Sequence, residues 1–219
     1  MPQGRLLGAP APARGLPRGR NSLPAAAVLD AQRQRLLRAI VAEVAERGYP
    51  AVSVADVVRR ARVSRSSFYA QFADKEDCFF AATAEGRRLM FTSISAAVHD
   101  VPPGADDLET LHAGLRAFLR FLADEPAFAA VFYLELPAVG RRGVERLAAA
   151  HELLAQRTAT WHARARDRHP EWPAVSADVF RALTGATEEL VRQRVRAGHA
   201  EELPQLEELV MWLHRRVLS

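Results

Sequence analysis

One cysteine and one lysine stand in a chain of 219 residues. A lone thiol, Cys78, cannot form a disulfide within the chain, and the expected compartment is the cytoplasm. No apolar run approaches the roughly 20 residues needed to cross a bilayer. The arginine-bearing N-terminus lacks the apolar core of a secretory signal. G-x-S-x-G, G-x-G-x-x-G and P-loop motifs are missing, so nothing points to an enzyme, a nucleotide or a cofactor. The seven histidines show neither H-x-x-x-H nor H-E-x-x-H spacing. His151 and His162 are eleven residues apart and could share a helix face, but no carboxylate or cysteine partner is evident, and no metal site is expected. Cys78, beside Phe79 and Phe80, reads as a small buried hydrophobe rather than a redox sensor.

What is present is a globular composition, 49% apolar, in a chain long enough for one or two domains. The net charge of +4 is unevenly placed. Residues 1–29 carry four arginines and no acid, residues 30–75 nine basic and five acidic residues, and residues 76–219 seventeen basic and 21 acidic residues. A basic N-terminal third on an acidic body suits an anionic polymer bound at one end. Arginine abundance alone could also produce the basic tail.

Strand-like alternation and internal repeats are also missing, and helical spacing recurs throughout. Residues 1–29, rich in Pro, Gly, Ala and Arg, are expected to be a disordered basic tail. It is either a solvated segment, the product of a misassigned start codon, or an arm that reaches a minor groove. A first helix over about 30–47 carries the stripe Leu36, Leu37, Ile40, Val41 and Val44 and ends at Gly48. From Asp74 a helix is expected to about Val98, broken by Pro102-Pro103-Gly104. Further helices are expected over about 105–123, from Pro126 to an interruption at 137–143, over 141–168, from Ser176 to near Gly198, and over 204–218. The fold class is all-α with about nine helices.

The organising stretch is Ser53–Lys75. Ser53 is an N-cap with Asp56 three residues on, an acidic variant of the capping box, and Val54, Val57, Val58 and Ala61 share one helix face. Arg62 and Val63 form a turn, Ser64 is a second N-cap, and Phe68 and Phe72 give the next helix a buried stripe. Arg65, Ser66, Ser67, Ala70 and Gln71 lie off that stripe. Short helix, turn, short helix with a polar outer face is a helix-turn-helix pattern. Arg65 at the start of the second helix could bond a guanine in two places, and Ser66 and Ser67 could bond bases or phosphate. Tyr69, Gln71 and Lys75 could hold phosphates, as could Ser53.

In this register, from about Asp30 through SFYAQF and DKED, the segment closely resembles the DNA-binding domain of the TetR family of bacterial transcriptional regulators. The resemblance implies phosphate contacts at Ser53, Tyr69, Gln71 and Lys75 and base-facing positions at Arg65, Ser66 and Ser67. The family often has His at the place of Gln71. It usually has Gly at the place of Arg62, where a helix cap often needs positive φ. An Arg there is expected to cost on the order of 1 kcal/mol.

The expected organisation is a basic tail over 1–29, a helix-turn-helix domain over 30–76 with its motif at 53–72, and a ligand-binding and dimerisation domain over 77–219. Aromatic residues gather between Phe91 and Trp172, and Phe91, Phe118, Phe121, Phe132, His151 and Trp161 are candidates to line a pocket for an apolar effector. His112, Arg116, Glu135 and His162 are further candidate polar anchors. The same aromatics could equally be core. Helices over about 176–218 would pair two copies as a four-helix bundle, as the resemblance implies. The expected function is a ligand-responsive regulator, most simply a repressor released from a roughly palindromic operator. The alternatives are a helical carrier or enzyme with a vestigial motif, and a ligand-free architectural DNA binder.

Overall fold

A computed structural model describes residues 25–219. Among them every regular element is helical, as nine helices and two 3-10 segments when the run from Pro126 to Ala138 is counted once. Two compact units divide at Gly86/Arg87.

In the first unit α1 spans Ala25–Arg47. It begins five residues earlier than residue 30, because the run AAAVL is made of residues that tolerate a helix well. Residues 25–29 are therefore helix and not tail; the remaining tail expectation, 1–24, lies outside the described residues. The stripe Leu36, Leu37, Ile40, Val41 and Val44 is exposed by 6% or less. Gly48 ends the helix at φ 78°, and a 3-10 turn, Tyr49–Ala51, leads to α2, Val54–Ala61. After α3, Arg65–Tyr69, comes α4, Lys75–His99, within which the unit boundary falls. The second helix of the motif is thus shorter than RSSFYAQF: its regular span stops at Tyr69, although the Phe72 amide still donates to the Phe68 carbonyl. Phe68, Phe72, Phe79 and Cys78 fill the core behind it.

The second unit begins in α4. Its next helix, α5 (Asp107–Asp124), follows the Pro102-Pro103-Gly104 turn and is capped by Asp106, whose carboxylate accepts from the Leu108 amide at 2.9 Å. Helix α6 runs Pro126–Ala130, widens into a π turn at Val131–Glu135 and finishes as Leu136–Ala138. The expected interruption at Pro137 is therefore absorbed inside the helix. Proline has no N–H and its ring crowds the carbonyl four residues back, so the preceding amide, Leu136, reaches five residues back to Val131 instead. The break comes later, at Gly140 with φ 100°. A Cβ on Gly143 would overlap the Leu136 carbonyl, so only glycine lets α7 (Arg141–Arg166) start this close to the end of α6.

Helix α8 spans Ala177–Arg196; Ser176 stands at its N-cap, but its hydroxyl makes no capping bond. A 3-10 segment, Ala200–Leu206, holds Pro204 and precedes α9, Glu207–Leu218, so the expected helix at 204 starts three residues late. Phe118, Leu119, Leu122, Phe128, Leu136 and Leu203 are buried, and Leu218 is buried in a cluster with Ala155, Phe180 and Leu183; each such large side chain is worth about 1.5–3 kcal/mol on removal from water. No described helix is long and apolar enough to cross a membrane.

Candidate functional site

The caps of the helix-turn-helix are made by hydrogen bonds between residues two or three apart. Ser53 and Asp56 form a complete capping box: the Asp56 amide donates to Ser53 Oγ, and the Ser53 amide and hydroxyl bond Asp56 Oδ2 at 3.0 and 2.6 Å. Hydrogen bonds from Ser53 first, and then from Arg59, hold the Asp56 carboxyl far below its ordinary range. At the other end of α2, Arg62 adopts φ 53°, and its amide and that of Val63 reach back into the last turn. It is the one non-glycine with positive φ among the described residues. Ser64 then caps α3, its Oγ accepting from the Ser67 amide at 3.0 Å and lying 2.8 Å from the hydroxyls of both Ser66 and Ser67.

Phe68, wholly buried, anchors α3 and turns its opposite side to solvent. Arg65, Ser66 and Tyr69 are exposed there, with Ser67 half-buried. Arg65 lies over the Tyr69 ring at 5.7 Å and makes no ion pair with a described carboxylate. Neighbouring cations are already committed: Arg60 to Glu46 and Glu43, Arg47 to Glu43 and Asp56, Arg59 to Asp56. Arg62 is exposed and, like Arg65, makes no such pair, so the turn presents a second free guanidinium that sequence reading treated only as a strained cap.

Two expected phosphate contacts are differently employed. The Gln71 side-chain nitrogen is buried without a hydrogen-bond partner. Lys75 turns its ammonium into the unit, donating to the Tyr49 and Val52 carbonyls at 2.9 and 2.8 Å and lying 4.0 Å from the centre of the Tyr49 ring. The ammonium expected at a phosphate is thus engaged within the unit. Cys78 is fully buried, and burial pushes its thiol up to about 12, which removes the thiolate that redox chemistry would need.

In the second unit the six candidate lining residues fall into separate packings. Phe118 and Phe132 are core, at 4% and 2% exposure. Phe132 packs on Phe128, which meets Phe121 edge-on. Phe91 lies under the Arg157 guanidinium, and Trp161 packs on Trp172 while its Nε1 donates to the Asp107 carbonyl. His162 is buried with Nε2 at 3.0 Å from the Leu218 carbonyl oxygen, and is thereby part of the core rather than an anchor beside His151. An open hollow of about 400 Å³ lies elsewhere, walled by Asp100, Val101, Pro102, Glu109, His112 and Arg116. His112 and Arg116 there both reach Glu207 Oε1 at 2.7 Å. Burial pushes the Glu207 carboxyl up, but bonds from Arg116 and then His112 outweigh it and leave it low.

One cluster could not be foreseen. Tyr133, placed by the π turn, Glu188 on α8 and His151 on α7 meet in the interior of this unit. Glu188 is 5% exposed and its Oε2 lies 3.3 Å from His151 Nε2. Burial first, and then Glu188, raise the Tyr133 phenol well above its usual value. The approach is close enough for that influence, yet neither carboxyl oxygen, nor the phenol oxygen, nor His151 Nε2 makes a well-directed hydrogen bond. No motif connects these three residues in sequence.

Residues 36–82 match the family described as "Bacterial regulatory proteins, tetR family". No curated protein matches the chain in sequence. In structure the chain is similar to a TetR-like transcriptional regulator from Rhodococcus sp. RHA1, with TM-score 0.64 and 23% identity over 89% of this chain and 99% of that one. It is also similar to the fatty acid degradation regulator FadR from Bacillus halodurans, with TM-score 0.71 and 19% identity over 83% and 93%. FadR from Bacillus subtilis in complex with stearoyl-CoA gives TM-score 0.68 and 20% identity over 82% and 95%. At these identities the structural likeness speaks for the fold.

Proposed function

The chain carries a DNA-binding domain of the tetR family of bacterial regulatory proteins, and from that premise we propose a ligand-responsive repressor that binds a roughly palindromic operator as a homodimer. The observation that carries this reading is the exposed face of α3. Arg65, Ser66 and Tyr69 stand outward on a helix anchored by a buried phenylalanine, with Arg65 free of carboxylates that would compete for it. Arg65 reads a base, Ser66 and Ser67 bond bases or phosphate, and Ser53, Tyr69 and Arg62 hold the backbone. Gln71 is at most a contact made after its buried amide turns.

Dimerisation through α8 and α9 is supported by Leu209 and Trp212, which are 47% and 56% exposed, and by Gly185 and Ala186 on the open side of α8. A two-fold pair would set two copies of α3 about one DNA turn apart, ~34–36 Å. The effector belongs to the second unit, and the stearoyl-CoA held by the Bacillus subtilis FadR supports a ligand with a large apolar part. Its polar end is assigned to the Tyr133–Glu188–His151 cluster, whose buried carboxyl, 3.3 Å from His151 Nε2, makes no well-directed hydrogen bond and can accept one from a donor. Helix α4 starts in one unit and ends in the other, so an effector that shifts it alters the spacing of the two reading helices. By linkage, DNA then weakens the effector as much as the effector weakens DNA.

Footprinting on the chain's own upstream region tests the reading, with the double variant Arg65→Ala/Tyr69→Ala as control. Protection should vanish in the variant, at about 1–3 kcal/mol per base-reading contact, while the helical circular-dichroism signal stays. Retained protection would place the reading face elsewhere.

A further inference from the structure

Lys75 is the only lysine in the chain, and its ammonium has three protons to donate. Two go to the Tyr49 and Val52 carbonyls at 2.9 and 2.8 Å, and the remaining side of the charge faces the Tyr49 ring. Nothing is left over for a phosphate unless one of these is given up. The ring is itself held, packed on buried Phe79 at 4.8 Å between centres. Arg47 serves the same segment, donating to the Ala51 carbonyl at 2.9 Å. Three carbonyls between residues 49 and 52 thus end on cationic side chains, in a segment whose own turn bond, Val52 N–H to the Tyr49 carbonyl, is a long 3.4 Å.

The location gives these bonds their significance. Val52 immediately precedes Ser53, the cap of α2, and Lys75 is the first residue of α4. Between them lies the stretch 53–74, which holds both helices of the reading motif. A strut from Lys75 to Val52 closes that stretch at its base.

Resting on the DNA-reading function above, we propose that Lys75 is a positioning residue: it ties the start of α4 to the carbonyls before α2 and so sets the attitude of the α2–α3 pair, rather than gripping a phosphate itself. Partial burial, which draws the lysine below its ordinary pKa, accords with a charge turned away from solvent.

Lys75→Met keeps the stem beside Tyr49 and removes the charge. The probe is the duplex that the wild-type chain itself selects from a random pool, with calf-thymus DNA as the unselected reference. For a strut, affinity for the selected duplex falls about tenfold or more. Affinity for calf-thymus DNA and the slope of log affinity against log salt stay as they were. For a phosphate contact, both DNAs lose together and the slope becomes shallower by about 0.9, which overturns the proposal, as does unchanged affinity. A purely structural lysine would lower the melting temperature without changing discrimination between the two DNAs well below it, and that result also overturns the proposal. Without any DNA, the amides of residues 52–57 should exchange faster in the variant while those of the second unit do not. Unaltered protection there overturns the strut. Should the wild-type chain select no sequence, the DNA-reading function falls, and the exchange measurement still decides Lys75.

Discussion

In the first unit the caps of the helix-turn-helix are closed by bonds between residues two or three apart, as in Ser53–Asp56, Ser64–Ser66 and Ser64–Ser67, while Arg60 and Lys75 tie it to the rest of the unit across 14 to 26 positions. In the second, the polar ties between elements reach further, from 29 positions for Arg181 to Glu152 to 95 for His112 to Glu207, with Trp161 to Asp107, His162 to Leu218 and Arg168 to Asp107 between them. The two regions consequently differ in what they leave open. The first unit exposes a short polar helix, α3, on the side away from buried Phe68. The second buries a tyrosine, a glutamate and one edge of a histidine close together, without a well-directed hydrogen bond among them. A buried polar group without a well-directed partner costs about 1–3 kcal/mol.

The largest effect expected from this contrast is at Glu188. Glu188→Met removes a buried carboxyl that no well-directed hydrogen bond satisfies, at nearly constant volume, so the unliganded chain should gain about 1–3 kcal/mol and melt a few degrees higher, while release from DNA by effector is lost. A thermal melt decides it. A loss of about 3–5 kcal/mol would show instead that His151 and Glu188 form a true buried pair, whose breaking strands a charge.

At the turn of the motif a smaller effect is expected. Arg62 sits at φ 53°, which an L side chain occupies under strain and glycine does not. Arg62→Gly should stabilise the first unit by about 1 kcal/mol, read as a higher denaturation midpoint, and weaken DNA binding by removing an exposed guanidinium. A destabilised variant would mean that the arginine side chain makes up for its backbone.

The smallest effect is confined to acid conditions. His214 is buried on α9 with its Nδ1–H donating to the Val210 carbonyl at 2.9 Å, and burial lowers its pKa below the usual 6.5 although that bond opposes the shift. A lowered folded value means the unfolded chain takes up the proton first. Stability is therefore fully present above about 6.5 and declines as pH falls from there towards the folded value. His214→Gln should flatten the melting temperature between neutral and mildly acid pH; an unchanged profile would assign the acid sensitivity to other groups. Asp56, by contrast, is held so low that the α2 cap should persist through this range.

Much of the first unit was legible because its signals are local. Serines three residues ahead of their bonding partners read as caps, the spacing of Leu36, Leu37, Ile40, Val41 and Val44 reads as a buried stripe, and the chirality of L residues makes Arg62 a strained stand-in for glycine. The direction of Lys75 was not legible: a lysine at a helix start looks the same whether its ammonium faces solvent or two carbonyls 23 and 26 residues away. The aromatic candidates could not be sorted into core and lining, since Phe118 and Phe91 follow the same periodicity and differ only in what packs against them.

The sequence by itself determined the all-α class, the caps at Ser53 and Ser64, the turn at Arg62 and the helix-turn-helix motif, because each depends on side chains within one or two helical turns of one another. Only the tertiary structure decided that Lys75 points inward, that Pro137 is absorbed by a π turn, and that Tyr133, His151 and Glu188 face one another. Those outcomes depend on which helices come to lie side by side, and the packing of apolar faces that brings them together is indifferent to the few polar groups it carries inside.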